Sequence, residues 1–233
     1  MKIAVIDTTI DGAPLGEAHL FLPEFLKGLI AKGNEVHLIT KRAPNEKILG
    51  QIKESKAILH TNLWNAEGFV EETAPVLANW LNELKPDVYL ISVSDDIGWV
   101  VLPLLDSQIA TLTIGHEDSE YFYLPARHYR SFLTRVIGTS PEVCVGYVLS
   151  SVIEKEKIEW ISDDEEAAEA EGEPLDGEAR FVKMIEHYEN CFQKAIEDAE
   201  NSPRQTFADY PLLETVRSRL PIWLRRLKAK VMK

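Results

Sequence analysis

Short apolar runs of strand length alternate with longer segments of helical period through residues 1–162, one run about every 25 residues. The runs at 2–9 (KIAVIDTT) and 87–93 (DVYLISV) are apolar almost throughout, rather than at alternate positions. Strands of that kind are buried on both faces, as in a parallel sheet that helices cover on either side. The pattern therefore predicts a single three-layer α/β domain built on a parallel sheet.

Glycine, proline and capping signals set the expected bounds of the elements. Gly33 ends the first helix, and Pro23 either kinks that helix or marks where its regular part begins. Ser140 and Pro141 begin a later helix as N-cap and first helical position. We expect strands at 2–9, 35–40, 56–61, 87–93, 109–115, 157–162 and within 130–140, and helices at 16–33, shortly before 56, and at 71–84, 97–106 and 141–152.

The regular alternation ends at Asp163. Residues 163–177 are acidic and poor in large apolar side chains, a composition typical of a solvated linker. From Glu178 apolar residues return at three- and four-residue steps, which predicts an amphipathic helix over 178–200 that must pack on the sheet domain or on a partner. Its apolar positions are Phe181, Met184, Ile185, Tyr188, Phe192, Ala195 and Ile196. We expect a sheet domain at 1–162, an acidic linker at 163–177, and a helix with a basic tail at 178–233 that completes the domain.

Charge is distributed unevenly along the chain, whose net charge is −13. Residues 163–178 carry nine acidic side chains and no basic one, whereas residues 217–233 carry seven basic side chains and no acidic one. Setting the seven positive charges of the tail aside leaves the remainder at −20, which repels polyphosphate and excludes a nucleic-acid-binding function for the body. The tail, with Trp223 and Leu227 among its basic residues, is expected either to attach peripherally to an anionic membrane surface or to dock on the acidic body.

Cysteine usage and the amino terminus bear on the compartment. Cys144 and Cys191 have no metal or redox spacing, so we expect a reducing compartment, no metal site and no disulfide. The first residues run directly into a strand, and no apolar run approaches the ~20 residues of a membrane span. These features predict a cytoplasmic protein.

Five segments follow one another in a defined order: GAPLGEAHLFLPEFLKGLIAKGNEVHLIT (12–40), Pro86-Asp87 before a strand, TIGHED with His116 at a strand end, VIGTSPEVCVGYVL (136–149) and KIEWIS (157–162). Their order resembles the N-terminal, acceptor-side lobe of the family 4 retaining GT-B glycosyltransferases. The resemblance covers about two thirds of the chain and implies a Rossmann-like fold. In the full-length form it implies transfer of a hexosyl group from a nucleotide sugar to a hydroxyl acceptor, with no further cofactor.

The same resemblance implies that the donor-binding lobe of these enzymes is absent. Its phosphate-contacting Gly-Arg segment is missing, since the sequence contains no Gly-Arg dipeptide, and so is its pair of glutamates. The expectation is an N-terminal lobe joined directly to the family's final helix near 174–177, with little or no activity alone. A stand-alone flavodoxin-like binding or scaffold module is the alternative. A nucleotide-binding oxidoreductase is disfavoured because no G-x-G-x-x-G fingerprint is present.

Ligands of open parallel sheets bind beyond the carboxyl ends of the strands. In this sequence that rule selects residues 7–17, 40–46, 61–69, 94–99 and 115–128. The predicted substrate-binding residues are Gly12, Gly16, Glu17, Asp95, His116, Tyr121 and Arg127. Two of them, His116 and Asp95, are also the candidates for a catalytic role, although neither is assigned one firmly.

Each candidate has a functional and a structural interpretation. Gly12 and Gly16 precede a helix N-terminus that favours phosphate, although Glu17 repels an anion and the loop could be only a tight turn. His116 could bond a sugar hydroxyl or merely cap the next segment. Asp95, with Asp96, could bind acceptor hydroxyls, act as a base or belong to a solvated loop.

An aromatic and basic segment follows His116. Its residues Tyr121, Tyr123, Arg127, His128 and Arg130 suit a platform for a sugar or an acidic acceptor, but they also fit the flank of an ordinary helix. The tryptophans outside the tail are assigned to packing, with no functional role: Trp64, Trp80, Trp99 and Trp160.

Overall fold

A computed structural model describes residues 1–10, 18–162 and 177–203. The strands are Lys2–Asp7 (β1), Glu35–Thr40 (β2), Ile58–Thr61 (β3), Val88–Val93 (β4), Ala110–Gly115 (β5), Arg135–Gly138 (β6) and Ile158–Trp160 (β7). The helices are Ala18–Ala31 (α1), Glu46–Ser55 (α2), Val70–Leu84 (α3), Asp96–Val100 (α4), Glu120–Tyr129 (α5), Pro141–Ser151 (α6) and Gly177–Asn201 (α7). Short 3-10 turns lie at Leu102–Leu104, Arg130–Phe132 and Lys155–Lys157.

The strands form one sheet in the order β3-β2-β1-β4-β5-β6-β7, and every neighbouring pair is parallel. From β1 the chain builds the sheet outward in one direction, and from β4 it builds in the other. The order therefore reverses between β1 and β4. Ligands of open parallel sheets bind at such a reversal, and we call the region at the carboxyl ends of these two strands the crevice. The predicted Rossmann-like α/β fold with a parallel sheet is confirmed.

Successive residues of β1 enter opposite cores because strand side chains alternate between the two faces of a sheet. Ile3 and Val5 belong to a core that α1, α2 and α7 cover, whereas Ala4 and Ile6 belong to one that α3, α4, α5 and α6 cover. The sheet is thus buried on both sides, which is why its strands are apolar at nearly every position.

The C-terminal helix α7 packs back on the sheet domain, as the sequence predicts. It buries Met184, Ile185, Tyr188, Cys191, Phe192, Ala195 and Ala199. A Cβ atom added at Gly28 of α1 would lie 2.6 Å from Cγ1 of Ile185, so the two helices meet closely there. Near the end of α7, Asp198 accepts a hydrogen bond from Nε of Arg135 at 2.7 Å and ties the helix to β6.

Three local expectations need correction or completion. The helix predicted at 97–106 ends at Val100 and continues as a 3-10 turn, because Pro103 has no N–H to extend the α-helical pattern. Trp160, expected to pack, is 51% exposed because it lies on the short edge strand β7. The aromatic and basic segment after His116, expected only as a possible helix flank, contains the full helix α5.

Within the described ranges no helix is long and apolar enough to cross a membrane. The predicted loop at 11–17, most of the acidic linker at 163–177 and the whole basic tail lie outside the described residues.

Candidate ligand-binding site at the carboxyl edge of the sheet

The turn that leaves β1 is built around the buried carboxylate of Asp7. Oδ1 of Asp7 accepts hydrogen bonds from the backbone N–H of Thr9 (3.0 Å), the hydroxyl of Thr9 (3.0 Å) and the backbone N–H of Ile10 (3.1 Å). Three donors on one oxygen fix the direction in which the chain leaves the strand. This turn lies at the point where the strand order reverses.

Hydroxyl groups join the end of β1 to the end of β4. The backbone N–H of Asp95 donates to Oγ1 of Thr8 at 2.8 Å. The backbone N–H of Thr8 in turn donates to the carbonyl of Val93 at 3.0 Å. Oγ of Ser94 accepts from the N–H of Gly98 at 3.2 Å and so holds α4 against the strand end. Sequence reasoning missed Thr8 and Ser94, although the register that pairs Asp7 with Val93 makes them neighbours.

Asp95 has two roles at this edge. As the N-cap of α4 its Oδ1 accepts from the N–H of Ile97 at 3.4 Å, and its Oδ2 lies 3.3 Å from Nζ of Lys41. The carboxylate is 45% exposed, so it remains open to a ligand. Lys41, in the loop after β2, was not among the sequence candidates even though it falls within the selected segment 40–46.

Tyr121 reaches the same crevice from α5. Its hydroxyl donates to the carbonyl of Ser94 at 3.2 Å. Partial burial, followed by the charges of Asp95, Asp7 and Asp96, raises the pKa of the Tyr121 hydroxyl. The structure thus brings together two predicted residues, Asp95 and Tyr121, that are 26 positions apart.

His116 follows β5 and is half-buried between two helices. Its ring meets those of Phe21 in α1 and Phe122 in α5 edge-to-face, each with a centroid separation of 5.9 Å. Its carbonyl accepts from the hydroxyl of Thr139 at 3.3 Å, which joins the ends of β5 and β6. His116 is therefore positioned at the carboxyl edge as predicted, while its role in binding a ligand remains a prediction.

The proposed aromatic and basic platform is not assembled as one surface. Tyr123 is buried, donates to Oδ1 of Asp118 at 2.9 Å and packs edge-to-face on Tyr147. Burial, and then the bond to Asp118, raises the pKa of Tyr123. Arg127 and His128 lie exposed in the last turn of α5, a helix that returns the chain from the carboxyl edge toward the amino edge. Gly12, Gly16 and Glu17 are outside the described residues.

The described part of this edge is predominantly acidic. Glu67 follows β3, and the other carboxylates of this edge end or follow β1, β4 and β5: Asp7, Asp95, Asp96, Glu117, Asp118 and Glu120. Two cations, Lys41 and Arg42, follow β2, and they pair with Asp95 and Glu67. Among the described residues there is no group of three or more side chains placed to hold a metal ion.

A separate polar cluster links β2 and β3. Nε2 of His37 lies 2.8 Å from Oε1 of Glu35, and Nδ1 of His37 lies 2.8 Å from Nε2 of His60. Since a carboxylate accepts only, His37 donates to Glu35, and the neutral pair is completed when His60 donates to His37. Burial, and secondarily the charge of His37, lowers the pKa of His60 below its ordinary value of 6.5.

This depressed pKa predicts a pH-dependent contribution to stability. The unfolded chain binds a proton at His60 near pH 6.5 and the folded chain only at lower pH, so the free energy of unfolding falls as pH drops below 6.5. The change His60→Gln should reduce this loss. Urea midpoints of the variant and the native chain, measured at pH 7 and pH 5.5, check this expectation. The control is His128→Gln, because His128 is exposed on α5. Equal pH dependence in the two variants would contradict the assignment.

Neither a protein-family model nor a curated protein sequence matches the chain. Among solved structures, HepE of Anabaena in complex with UDP and glucose matches with a TM-score of 0.50 and 13% identity, over 70% of this chain and 44% of its own. The lipopolysaccharide outer core galactosyltransferase WaaB matches with a TM-score of 0.51 and 12% identity, over 70% of this chain and 45% of its own. A UDP-N-acetylglucosamine 2-epimerase matches with a TM-score of 0.50 and 14% identity, over 69% of this chain and 48% of its own. The chain spans less than half the length of these structures, and it shares with them the Rossmann-like α/β fold.

Proposed function

We propose that this chain is the acceptor-binding lobe of a nucleotide-sugar-dependent glycosyltransferase of the retaining, family 4 GT-B type. The observation that carries the proposal is the acidic, hydroxyl-bearing crevice where β1 and β4 end. Sugar hydroxyls donate readily to carboxylates and accept from ammonium and phenol groups. Asp95, Lys41 and Tyr121 supply those three groups around one opening.

The charge of the crevice favours an acceptor over a donor nucleotide. A diphosphate needs several cations or a series of N–H donors, whereas the cations described here are already paired with Asp95 and Glu67. We therefore expect a strong grip on the donor to come from another lobe. Sugar transfer by this chain alone should be immeasurable, because catalysis requires donor and acceptor to be held together.

The fold neighbours support the sugar-nucleotide part of the proposal. HepE, which shares this fold, was solved with UDP and glucose bound, and another neighbour is a galactosyltransferase. The presence of an epimerase among them shows that the fold alone does not select transfer. The choice of transfer rests on the motif resemblance, and the choice of the acceptor side rests on the acidic crevice.

Within this proposal the residues have distinct roles. Asp95 binds an acceptor hydroxyl and is the candidate base, Tyr121 lines the opening, and His116 contributes a hydrogen bond from the next strand. The loop with Gly12, Gly16 and Glu17, proposed from the sequence, would approach the donor's diphosphate from the acceptor side. Arg127 is left out because it lies in the last turn of α5.

Amide chemical shifts of the whole chain, followed in titrations with glucose and with UDP, test the proposal. Glucose should perturb the amides around Thr8, Asp95 and Tyr121, and Asp95→Asn should weaken that binding about tenfold, the loss of a hydrogen bond to a charged group. Asparagine still caps α4, so the fold should persist. UDP should bind no better than roughly millimolar, worth ~4 kcal/mol.

The matched control is Asp106→Asn, since Asp106 lies at the opposite edge, before β5. It should leave glucose binding unchanged. Micromolar UDP binding would contradict the acceptor-side assignment, and turnover by the chain alone would do so as well. Absence of any shift with either ligand would favour the scaffold module instead.

The proposal includes peripheral attachment to an anionic membrane surface through residues 217–233. The support is their composition, which places Trp223 among seven basic residues without an acidic one. Sedimentation of the protein with phosphatidylserine vesicles, and not with neutral ones, is the check.

A further inference from the structure

Helix α6 exposes a continuous apolar stripe. Val145, Val148 and Leu149 recur at three- and four-residue steps, which places them on one side of the helix, and Val152 follows directly as its left-handed C-cap (φ 55°). All four are exposed, and Leu149 is 75% exposed. The opposite side of α6 buries Val143, Tyr147 and Ser151 against the sheet domain, so α6 is apolar on two sides.

Two further apolar side chains extend the stripe on either flank. Leu124 of the neighbouring helix α5 is 57% exposed. Trp160 lies two residues after Ile158 on β7, and Ile158 packs against the core that α6 covers, so both side chains lie on the α6 side of the sheet. Six of the eleven exposed large apolar residues in the described part of the chain therefore belong to α6 and its flanks.

A patch of this kind is uncommon on a monomer and marks an interaction surface. We propose that this surface, which we call the α6 face, is the two-fold interface of a homodimer, with α6 packed antiparallel on α6 of a second copy. The α6 face comprises Leu124, Val145, Val148, Leu149, Val152 and Trp160. The proposal does not depend on the proposed function.

The order of residues along α6 is self-complementary for that arrangement. We place the two-fold axis between Val148 and Leu149. Val145 then lies opposite Val152 of the second copy, and Val148 of each copy lies opposite Leu149 of the other. Because an antiparallel pair sets the start of one α6 beside the end of the other, Glu142 lies near the segment that follows α6 in the second copy, which carries Lys155. Within one copy Lys157 pairs with Glu154, and Lys155 is the cation that Glu142 would meet.

Charge also separates a second copy from a lipid surface as the occupant. Glu142 borders the stripe at one end, and at the other end Lys155 and Lys157 are balanced by Glu154 and Glu156, so the face offers an anionic membrane no net positive charge. A second copy instead offers a lysine to the carboxylate at each end. The dimer also leaves the candidate site open, because β5 and β6 separate β4 from the edge strand that the α6 face flanks.

The size of the surface sets the expected strength. An eleven-residue helix is about 16 Å long. The buried surface area therefore falls at the lower end of the range for specific interfaces, and interfaces of that size associate weakly. We expect a dimer with a micromolar dissociation constant, populated at high protein concentration.

Sedimentation equilibrium of the whole chain, over protein concentrations from low micromolar to several hundred micromolar, tests the proposal. The native chain should pass from monomer to dimer, and Leu149→Glu should weaken association at least tenfold. Leu149 is the most exposed of these side chains, so the substitution should leave the melting temperature nearly unchanged. Val182→Glu, on the exposed side of α7, is the matched control and should dimerise like the native chain.

A charge exchange tests the orientation of the pair. Glu142→Lys and Lys155→Glu should each weaken dimerisation severalfold, and the double variant should recover most of the loss. A native chain that stays monomeric at every concentration would overturn the proposal. Equal weakening of the dimer by Leu149→Glu and Val182→Glu would overturn it too. So would a dissociation constant that neither Glu142→Lys nor Lys155→Glu changes.

Discussion

Replacing Phe192 with alanine should lower the free energy of unfolding by about 3–5 kcal/mol, as for other large aromatic side chains truncated in a core. The Phe192 ring is fully buried in the core that α1 and α7 form on the sheet, with its centroid 6.1 Å from that of Tyr188. Its removal leaves a cavity that the flanking strands cannot fill, because their backbones are fixed by the ladder. Urea unfolding followed by circular dichroism measures the change.

The control for this prediction lies on the same helix. Val182 is 42% exposed, and Val182→Ala should change the free energy of unfolding by no more than about 0.5 kcal/mol. A chain ended at Glu173, which lacks α7 altogether, should unfold or aggregate. Two equally small effects, together with a soluble truncated chain of unchanged melting temperature, would mean that α7 is not part of the cooperative domain.

The central strands β1, β4 and β5 were predictable because each is buried on both faces and therefore reads as a nearly unbroken apolar run. The edge strand β3 is only partly buried, and the error in its predicted start has a local cause. The run at 56–61 begins two residues early, because Lys56 adopts a left-handed conformation (φ 67°) as the C-cap of α2 and so cannot start the strand. Apolar pattern alone does not reveal a cap of this kind when the residue is a lysine rather than a glycine.

Helix α5 was harder to recognise as a helix. Its buried residues are the adjacent pair Phe122 and Tyr123, followed by Ala126, and Pro125 interrupts the pattern between them. Two neighbouring aromatics do not produce a clean period of 3.6 residues. Their burial depends on α6, where a Cβ at Gly146 would collide with the ring of Tyr123. The helix is therefore specified by a tertiary contact as much as by its own sequence.

The sequence predicts which loops meet at the carboxyl edge but not which side chains pair there. Lys41 and Asp95 are 54 positions apart, and their contact follows from the strand order β2-β1-β4 together with the turn that Asp7 fixes. The pair of His37 and His60 had a usable signal, since two strands predicted consecutively along the chain each carry one histidine. The exposed stripe of α6 had none, because VCVGYVLSSV is apolar on every side and only the fold decides which side is buried.

Replacing Gly98 with alanine should lower the free energy of unfolding by about 1–3 kcal/mol, the usual cost of overpacking. Gly98 lies in α4, and its backbone N–H donates to Oγ of Ser94. A Cβ added at Gly98 would collide with that oxygen and would lie 2.7 Å from Cβ of Ser94. The Ser94 Cβ cannot move away without its backbone, whose carbonyl accepts from Tyr121. The substitution should therefore also disturb the candidate site.

Gly50→Ala is the matched control, because Gly50 is likewise helical but has no atom within 4 Å of an added Cβ. There alanine should stabilise the protein by roughly 0.5–1 kcal/mol through its higher helix propensity. Replacing glycine with alanine should thus raise the free energy of unfolding in α2 and lower it in α4. Urea midpoints of the two variants measure both effects, and amide shifts of Thr8 and Asp95 report whether the crevice has moved. A stabilised Gly98→Ala variant with unshifted amides would show that α4 does not press against Ser94 and that the crevice is looser than described.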